Sequence, residues 1–287
     1  MYILVTPAKN EEVSLPVVIE ALVGQSVLPL LWVIIDDNST DSTPKIIDEF
    51  VKKYDWVKKI RFDGRKRELG EHYSKVVKKG FEFALEYAKE NGMDWKYIGI
   101  LDADIIPEKR YFGKLIGEME KNEKIGICAG ELRYILGNKI IKETLREDEP
   151  TGGARLWSRK CFEETGYSIS HFADGESNTK ARIKGYETKT IYGASALGTR
   201  RSGVSVPTLF TAKMDGEGSY YTGFHPIIVL AKAARYIICP PYYFLFSFAF
   251  LFGYFTYFVK RKKTDSQEVL HYNRTIRPKM IIGYYFK

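Results

Sequence analysis

The chain has 287 residues, 45% of them hydrophobic, which suits one large α/β domain with an appendage and excludes a disordered chain. Lys and Arg (44) outnumber Asp and Glu (36), and the net charge of +8 favours an anionic partner. The basic residues stay dispersed until the C-terminus and form no recognisable nucleic-acid module, so no nucleic acid is expected. Cys128, Cys161 and Cys239 have no metal-type spacing, which excludes a disulfide frame and fits reduced thiols in a cytosolic setting.

Strands and helices alternate through the first half. Tyr2–Thr6 reads as a buried strand, and no basic segment or small-residue cleavage site precedes it, so no secretory leader is expected. Val13–Gly24 carries Leu15, Val18, Ile19 and Leu22 at helical spacing, Leu30–Ile35 is a second apolar strand, and Thr43–Tyr54 a helix capped by Ser42 or Thr43. Val57–Phe62 is a third strand, His72–Asn91 a long amphipathic helix, and Tyr97–Leu101 a fourth strand. This order predicts a mostly parallel sheet covered on both faces. Further on, Pro107–Asn122 reads as helix and Ile125–Leu136 as strand, with Lys139–Glu147 beside it. Helices near Arg159–Glu164 and at Glu176–Lys184 precede a strand at Glu187–Tyr192.

Beyond residue 222 the composition changes. Pro226–Cys239 is apolar apart from Lys232 and Arg235, Pro240-Pro241 interrupts it, and Tyr242–Val259 is an uncharged run of 18 residues followed by Lys260-Arg261-Lys262-Lys263. Such a run is near the lower length for a bilayer span, with Tyr at its ends and cations beyond. A single span would export the basic cluster, so a hairpin turning at the proline pair is favoured, with Lys232 and Arg235 reaching lipid phosphates. The expected organisation is a catalytic domain at 1–222 on the cytoplasmic side of the cell membrane, a membrane-associated hairpin or span at 223–263, and a basic tail at 264–287.

Three polar clusters follow strands directly: Thr6-Pro7-Ala8-Lys9-Asn10-Glu11-Glu12, Asp36-Asp37-Asn38-Ser39-Thr40-Asp41 and Asp102-Ala103-Asp104. In an open α/β sheet these crowd one edge, at the carboxyl ends of the strands, where ligands bind. So many carboxylates together repel one another unless a cation or hydrogen-bond donors intervene. Asp-x-Asp at a strand end is suited to a hard divalent cation bridging a diphosphate.

The chain resembles a family 2 glycosyltransferase with the GT-A fold. The resemblance covers roughly residues 1–200 and rests on Pro7-Ala8-Lys9-Asn10-Glu11, on Val33 to Thr43 with its Asp-Asp-x-Ser-x-Asp, and on Leu101-Asp102-Ala103-Asp104. Gly152-Gly153-Ala154 through Arg159 and Gly166 resembles the acceptor-side segment, and Ala173-Asp174-Gly175-Glu176 through Arg182 and Gly185-Tyr186 the family's acidic helix.

The resemblance implies a nucleotide-sugar donor, with Pro7, Ala8, Asn10, Glu12 and Ser39 around the nucleotide and Asp36 or Asp37 on the base. It places Asp102 and Ala103 near the ribose or metal, and Asp104 on Mg²⁺ or Mn²⁺. Asp174 would be the general base of an inverting transfer. The family has an acid directly before the base where this chain has Ala173, so a shifted loop would make Glu176 the base instead. Arg67, with Arg65, is a candidate for the nucleotide or diphosphate, Lys66 reads as a solvated loop charge, and Gly153, Arg200 and Arg201 are candidates for phosphate or acceptor, as is His225, for which a structural role is favoured.

The apolar C-terminus implies a lipid-linked or membrane-presented acceptor, and Asp174 at the base position favours a sugar hydroxyl over a polyprenyl phosphate, which is already ionised. A glycine-free loop after the first strand argues against a sugar-phosphate nucleotidyltransferase. A non-catalytic nucleotide-sugar scaffold predicts binding without turnover.

Overall fold

The computed structural model describes residues 1–63, 71–136, 139–142, 147–199, 208–238 and 244–279. Period-two burial organises its sheet. In β1 (Tyr2–Ala8) and β2 (Leu31–Asp36), alternate side chains enter different cores. Tyr2, Leu4, Trp32 and Ile34 pack with α1 (Leu15–Val23), α2 (Thr43–Lys53) and α4 (Tyr111–Lys121). Ile3, Val5, Leu31, Val33 and Ile35 pack with α3 (His72–Glu90), α5 (Arg159–Thr165) and α6 (Ala173–Ile183). A strand buried on both faces reads as a continuous apolar run, which is why these strands were visible in the sequence.

The sheet order is β3-β2-β1-β4-β8-β6-β9-β5, with β7 paired to β6. Here β3 is Val57–Arg61, β4 Tyr97–Leu101, β5 Ile105–Pro107, β6 Ile125–Leu136, β7 Lys139–Lys142, β8 Ala154–Ser158 and β9 Glu187–Gly198. β3, β2, β1 and β4 run parallel, as expected. The second half is mixed rather than mostly parallel, because β8 enters antiparallel between β4 and β6. That placement brings the start of β8 to the end of β4, pairing Ala154 with Leu101. Residues 150–153 therefore open on the same edge as the loops after β1, β2 and β4. The N-termini of α3 and α6 reach that edge too, since both contribute residues to the cleft there.

Residues Met1–Arg201 form one compact unit and Ser202–Lys287 a second, so the division falls before 222. α7 (Leu209–Tyr221) belongs to the second unit and packs against α9 (Phe244–Lys260). α8 (Pro226–Ile238) completes a small core of Ala212, Val229, Ala233 and Phe250. Residues 264–279 are not a separate tail: α10 (Gln267–His271) and a π-helical turn at Tyr272–Ile276 follow, and Asn273 Nδ2 donates to the Thr222 carbonyl (2.9 Å).

The apolar stretch expected as a hairpin or span forms the helices α8 and α9 among the described residues. Among the described residues no helix is long and apolar enough to cross a membrane. α9 is 17 residues long, and Ser247, Phe250 and Gly253 on one side of it are buried within the second unit. Lys232 does not reach outward: its ammonium donates to Asp215 Oδ1 at 2.6 Å and to Ser219 Oγ at 3.3 Å.

Candidate active site

Side chains from the loops after β1, β2 and β4 meet in a cleft of about 540 Å³ within the first unit. Pro7, Ala8, Lys9 and Glu11 line it from β1, Asp37 from β2, and Asp102, Ala103 and Asp104 from β4. His72, Tyr73 and Val76 enter from α3, and Tyr167, Ser170, His171, Ala173 and Asp174 from the segment that opens α6.

The loops after β1 and β2 are laced together by hydrogen bonds. Ser39 Oγ accepts from the Asn10 amide (3.1 Å), Asn10 Oδ1 from the Thr40 amide (2.8 Å), and Thr43 Oγ1 from the Glu11 amide (2.7 Å). Glu12 Oε2 accepts from the Ser42 amide (2.9 Å). Asn10 and Asn38 adopt left-handed backbone (φ 54° and 53°), which Asn tolerates better than most residues. Asn10, Glu12 and Ser39, expected around the nucleotide, thus hold the loop scaffold and do not line the cleft; Lys9 and Glu11 do.

The structure separates the two adjacent aspartates. Asp36 is fully buried and does not line the cleft, with Oδ1 accepting from the Ser39 amide (3.0 Å). Asp37 faces the cleft, and its Oδ2 accepts from His72 Nε2 (2.7 Å) and Lys9 Nζ (3.1 Å). Asp37 Oδ1 is buried without a hydrogen-bond partner among the described residues, as is Asp36 Oδ2. His72 and Tyr73 were missed from sequence because their partners lie 35 and 29 positions away. The visible signal was only a helix start after a strand.

Two glycines stand close against the cleft's carboxylates, Gly153 against Asp102 and Gly152 against Asp174. A Cβ at Gly153 would stand 2.5 Å from Asp102 Oδ2 and 2.4 Å from Ile105 Cδ1, and one at Gly152 1.9 Å from Asp174 Oδ2. The Gly153 carbonyl also accepts from the Asp102 amide (2.7 Å). Burial pushes the Asp102 carboxyl up to about 8; the negative charges of Asp104, Asp174 and Glu11 add to this, and a 2.5 Å hydrogen bond from the Tyr73 hydroxyl opposes it. Burial and Asp102 together raise the Tyr73 phenol, which stays protonated and donating.

Among the described residues no three carboxylate, imidazole or thiol groups form a ready-made cation cage. The donor set nonetheless fits a Mg²⁺- or Mn²⁺-type ion, because such ions are held by one or two carboxylates together with substrate phosphates. Crowded carboxyl groups at Asp102, Asp104, Asp174 and Glu11 are the setting in which a cation relieves repulsion.

Asp174 is about half exposed and lines the cleft, whereas Glu176 is 2% exposed and does not. Arg155, unremarked in the sequence, anchors this region from β8. It is fully buried, and its guanidinium donates to the carbonyls of Pro150 (2.6 Å) and Thr151 (2.8 Å). Its Nη1 also lies 3.7 Å from Asp174 Oδ1. Arg67, Arg200 and Arg201 lie outside the described residues. His225 belongs to the second unit, where its Nδ1 accepts from the Ile227 amide (3.2 Å) at the start of α8.

A sheet edge lined by carboxylates, with a cleft between strand ends and helix N-termini, is where ligands bind in open α/β folds. The chain belongs to glycosyl transferase family 2, whose profile matches residues 3–178, more than half of its length. It is 31% identical over 137 residues to the probable glycosyltransferase YdaM of Bacillus subtilis, covering 47% of this chain and 30% of that protein. It is 34% identical over 118 residues to the uncharacterized protein MJ0544 of Methanocaldococcus jannaschii, covering 41% and 46%. The matches thus span less than half the length of these curated relatives.

Two solved structures share the fold. S. aureus TarS 1–349 in complex with UDP-GlcNAc is 12% identical with a TM-score of 0.56, covering 83% of this chain and 67% of that one. The mannosyltransferase PcManGT of Pyrobaculum calidifontis, in complex with GDP-Man and Mn²⁺, is 14% identical with a TM-score of 0.55, covering 99% and 79%. The sheet and its flanking helices are consistent with the GT-A fold.

Proposed function

We propose that the protein transfers a sugar, with inversion, from a UDP- or GDP-linked donor to a hydroxyl of a lipid-linked or membrane-presented glycan. The observation that carries this reading is the cleft shared by Asp174 and the Asp102–Asp104 pair, which come from different elements. The name of the Bacillus subtilis relative, and the nucleotide-sugars bound to the two structural neighbours, support a donor of this class.

In the proposed reaction the acceptor oxygen bonds to the anomeric carbon as the bond from that carbon to the donor diphosphate breaks. The acceptor hydroxyl gives its proton to the Asp174 carboxylate. One displacement inverts the sugar carbon. Asp104, with Asp102, would hold Mg²⁺ or Mn²⁺ against the diphosphate, and that ion when bound supplies charge neutralisation to the leaving group. Arg155 keeps the 150–153 segment and Asp174 in place, and Tyr73 orients the Asp102 carboxylate. A polyprenyl phosphate needs no base, so a carboxylate at Asp174 favours the hydroxyl acceptor.

The acceptor class rests on the second unit. α8 and α9 expose Ile227, Leu230, Phe244, Phe248, Phe252 and Phe255, and Lys260–Lys263 follow. An apolar helix face beside a cationic cluster suits the interface of an anionic bilayer without crossing it.

Asp174→Asn tests the reading. It should lower transfer by roughly 10²–10⁴-fold while leaving nucleotide-sugar binding intact; near-normal turnover would remove Asp174 from the mechanism.

A further inference from the structure

We infer that a groove along α4 of the first unit, apart from the active-site cleft, binds an acidic oligosaccharide. Calling the ligand a saccharide rests on the glycan acceptor proposed above.

The groove has a volume of about 900 Å³ and shares no lining residue with the cleft. It runs between α4, Ser26 and Val27 of the loop after α1, and β9. On α4, Arg110, Lys114, Gly117 and Lys121 line it at i, i+4, i+7 and i+11, a spacing that sets them on one helical face. The other face of α4, with Phe112, Leu115 and Met119, is buried in the core. Packing does not require Gly117. A Cβ there would meet no atom within 4 Å, yet glycine weakens a helix interior. Its effect is to keep this stretch of the groove wall bare.

Two features of β9 point to a ligand. Thr190 lines the groove and is 7% exposed, and its hydroxyl is buried without a hydrogen-bond partner among the described residues. Such a group is costly until another polar atom completes it. β9 also bulges here. Between Gly130 and Glu131 of β6 its pairing advances from Ile191 to Ser195, and Gly193 takes a left-handed φ of 86°. Bulges re-aim side chains, and this one leaves Tyr192 57% exposed at the groove.

The lining chemistry names the ligand class. Lys114 and Lys121 pair with Glu108 and Glu118 (2.6 and 2.7 Å), which leaves Arg110 and Lys189 for ligand anions. Glu118 and Glu147 share the wall. They oppose a continuous phosphate chain but accept hydrogen bonds from hydroxyls. The Tyr192 ring has a negative face, which attracts the C–H face of a pyranose. An acidic oligosaccharide supplies anions, hydroxyls and C–H faces together.

The test is calorimetric titration of the full chain with tetragalacturonate, its methyl ester and tripolyphosphate, in saturating UDP, GDP and Mn²⁺ so that the cleft is filled. Tetragalacturonate should bind about tenfold tighter, or more, than the uncharged ester, the effect of a hydrogen bond to a charged group. Gly117→Leu should melt no lower than the wild type, since it removes a helix glycine into open space, and should weaken binding about tenfold or more by filling the groove. Thr190→Val should weaken it about two- to tenfold. No binding of tetragalacturonate, equal binding of the ester, or tripolyphosphate binding as tightly would overturn the inference. So would unchanged affinity in Gly117→Leu, which would put the ligand elsewhere. None of these titrations needs a donor or turnover, so their failure would leave the glycosyl-transfer reading standing, whereas that reading fails by the absence of nucleoside diphosphate release.

Discussion

Asp174 and Glu176 are two residues apart on α6, and only burial tells them apart. Glu176 turns into the unit while Asp174 opens on the cleft, so the two should respond differently to amide substitution. Asp174→Asn should lower kcat by roughly 10²–10⁴-fold with little change in donor affinity, the size of a general-base contribution. Asp104→Asn should cost about 10²–10³-fold and weaken the dependence of rate on Mn²⁺ concentration, as loss of electrostatic stabilisation of a leaving group does. Gly153→Ala is a test of a different kind. Its methyl would collide with Asp102 Oδ2 and Ile105 Cδ1, and overpacking there should lower stability by about 1–3 kcal/mol in denaturant titration while displacing Asp102. A variant of wild-type stability and activity would show that the segment relaxes without consequence.

At the level of elements, the strands that carry motifs were readable because both of their faces are buried and their ends are acidic. β1, β2 and β4, with the helices between them, required only apolar runs and turn residues. β8 was not readable, since Arg155 interrupts its apolar run. That cation is tolerable only because the carbonyls of Pro150 and Thr151 receive it, a satisfaction that the sequence does not display. Arg155→Met should therefore destabilise the protein by on the order of 3 kcal/mol in denaturant titration, because buried carbonyls lose their donor. β5 and α7 also went unread, and β9 extends six residues past its expected end at Tyr192. The apolar run at 242–259 was legible as unusual but not as to its partner. Part of α9 packs within the second unit, and the rest stays exposed. Replacing Phe248 and Phe252, 66% and 65% exposed, by Ser should reduce co-sedimentation with phosphatidylserine vesicles about tenfold or more, given about 1.5–3 kcal/mol per buried Phe. Unchanged sedimentation would assign that face to another partner.

For the molecule as a whole, the resemblance visible in the first 200 residues and the family profile at 3–178 agree on what the first unit is. What it acts upon is the proposal. Its central claim is metal-assisted release of a nucleoside diphosphate, driven by attack of a hydroxyl that Asp174 deprotonates. The most direct measurement is nucleoside diphosphate release from a panel of UDP- and GDP-sugars, with Mn²⁺ and a membrane lipid extract, by the wild-type chain and by Asp174→Asn. The wild type should release diphosphate from a donor of the panel and lose that release on adding EDTA, and the Asn variant should release it at least about 10²-fold more slowly. Release from no donor, or release by the Asn variant at a rate near that of the wild type, would contradict that claim.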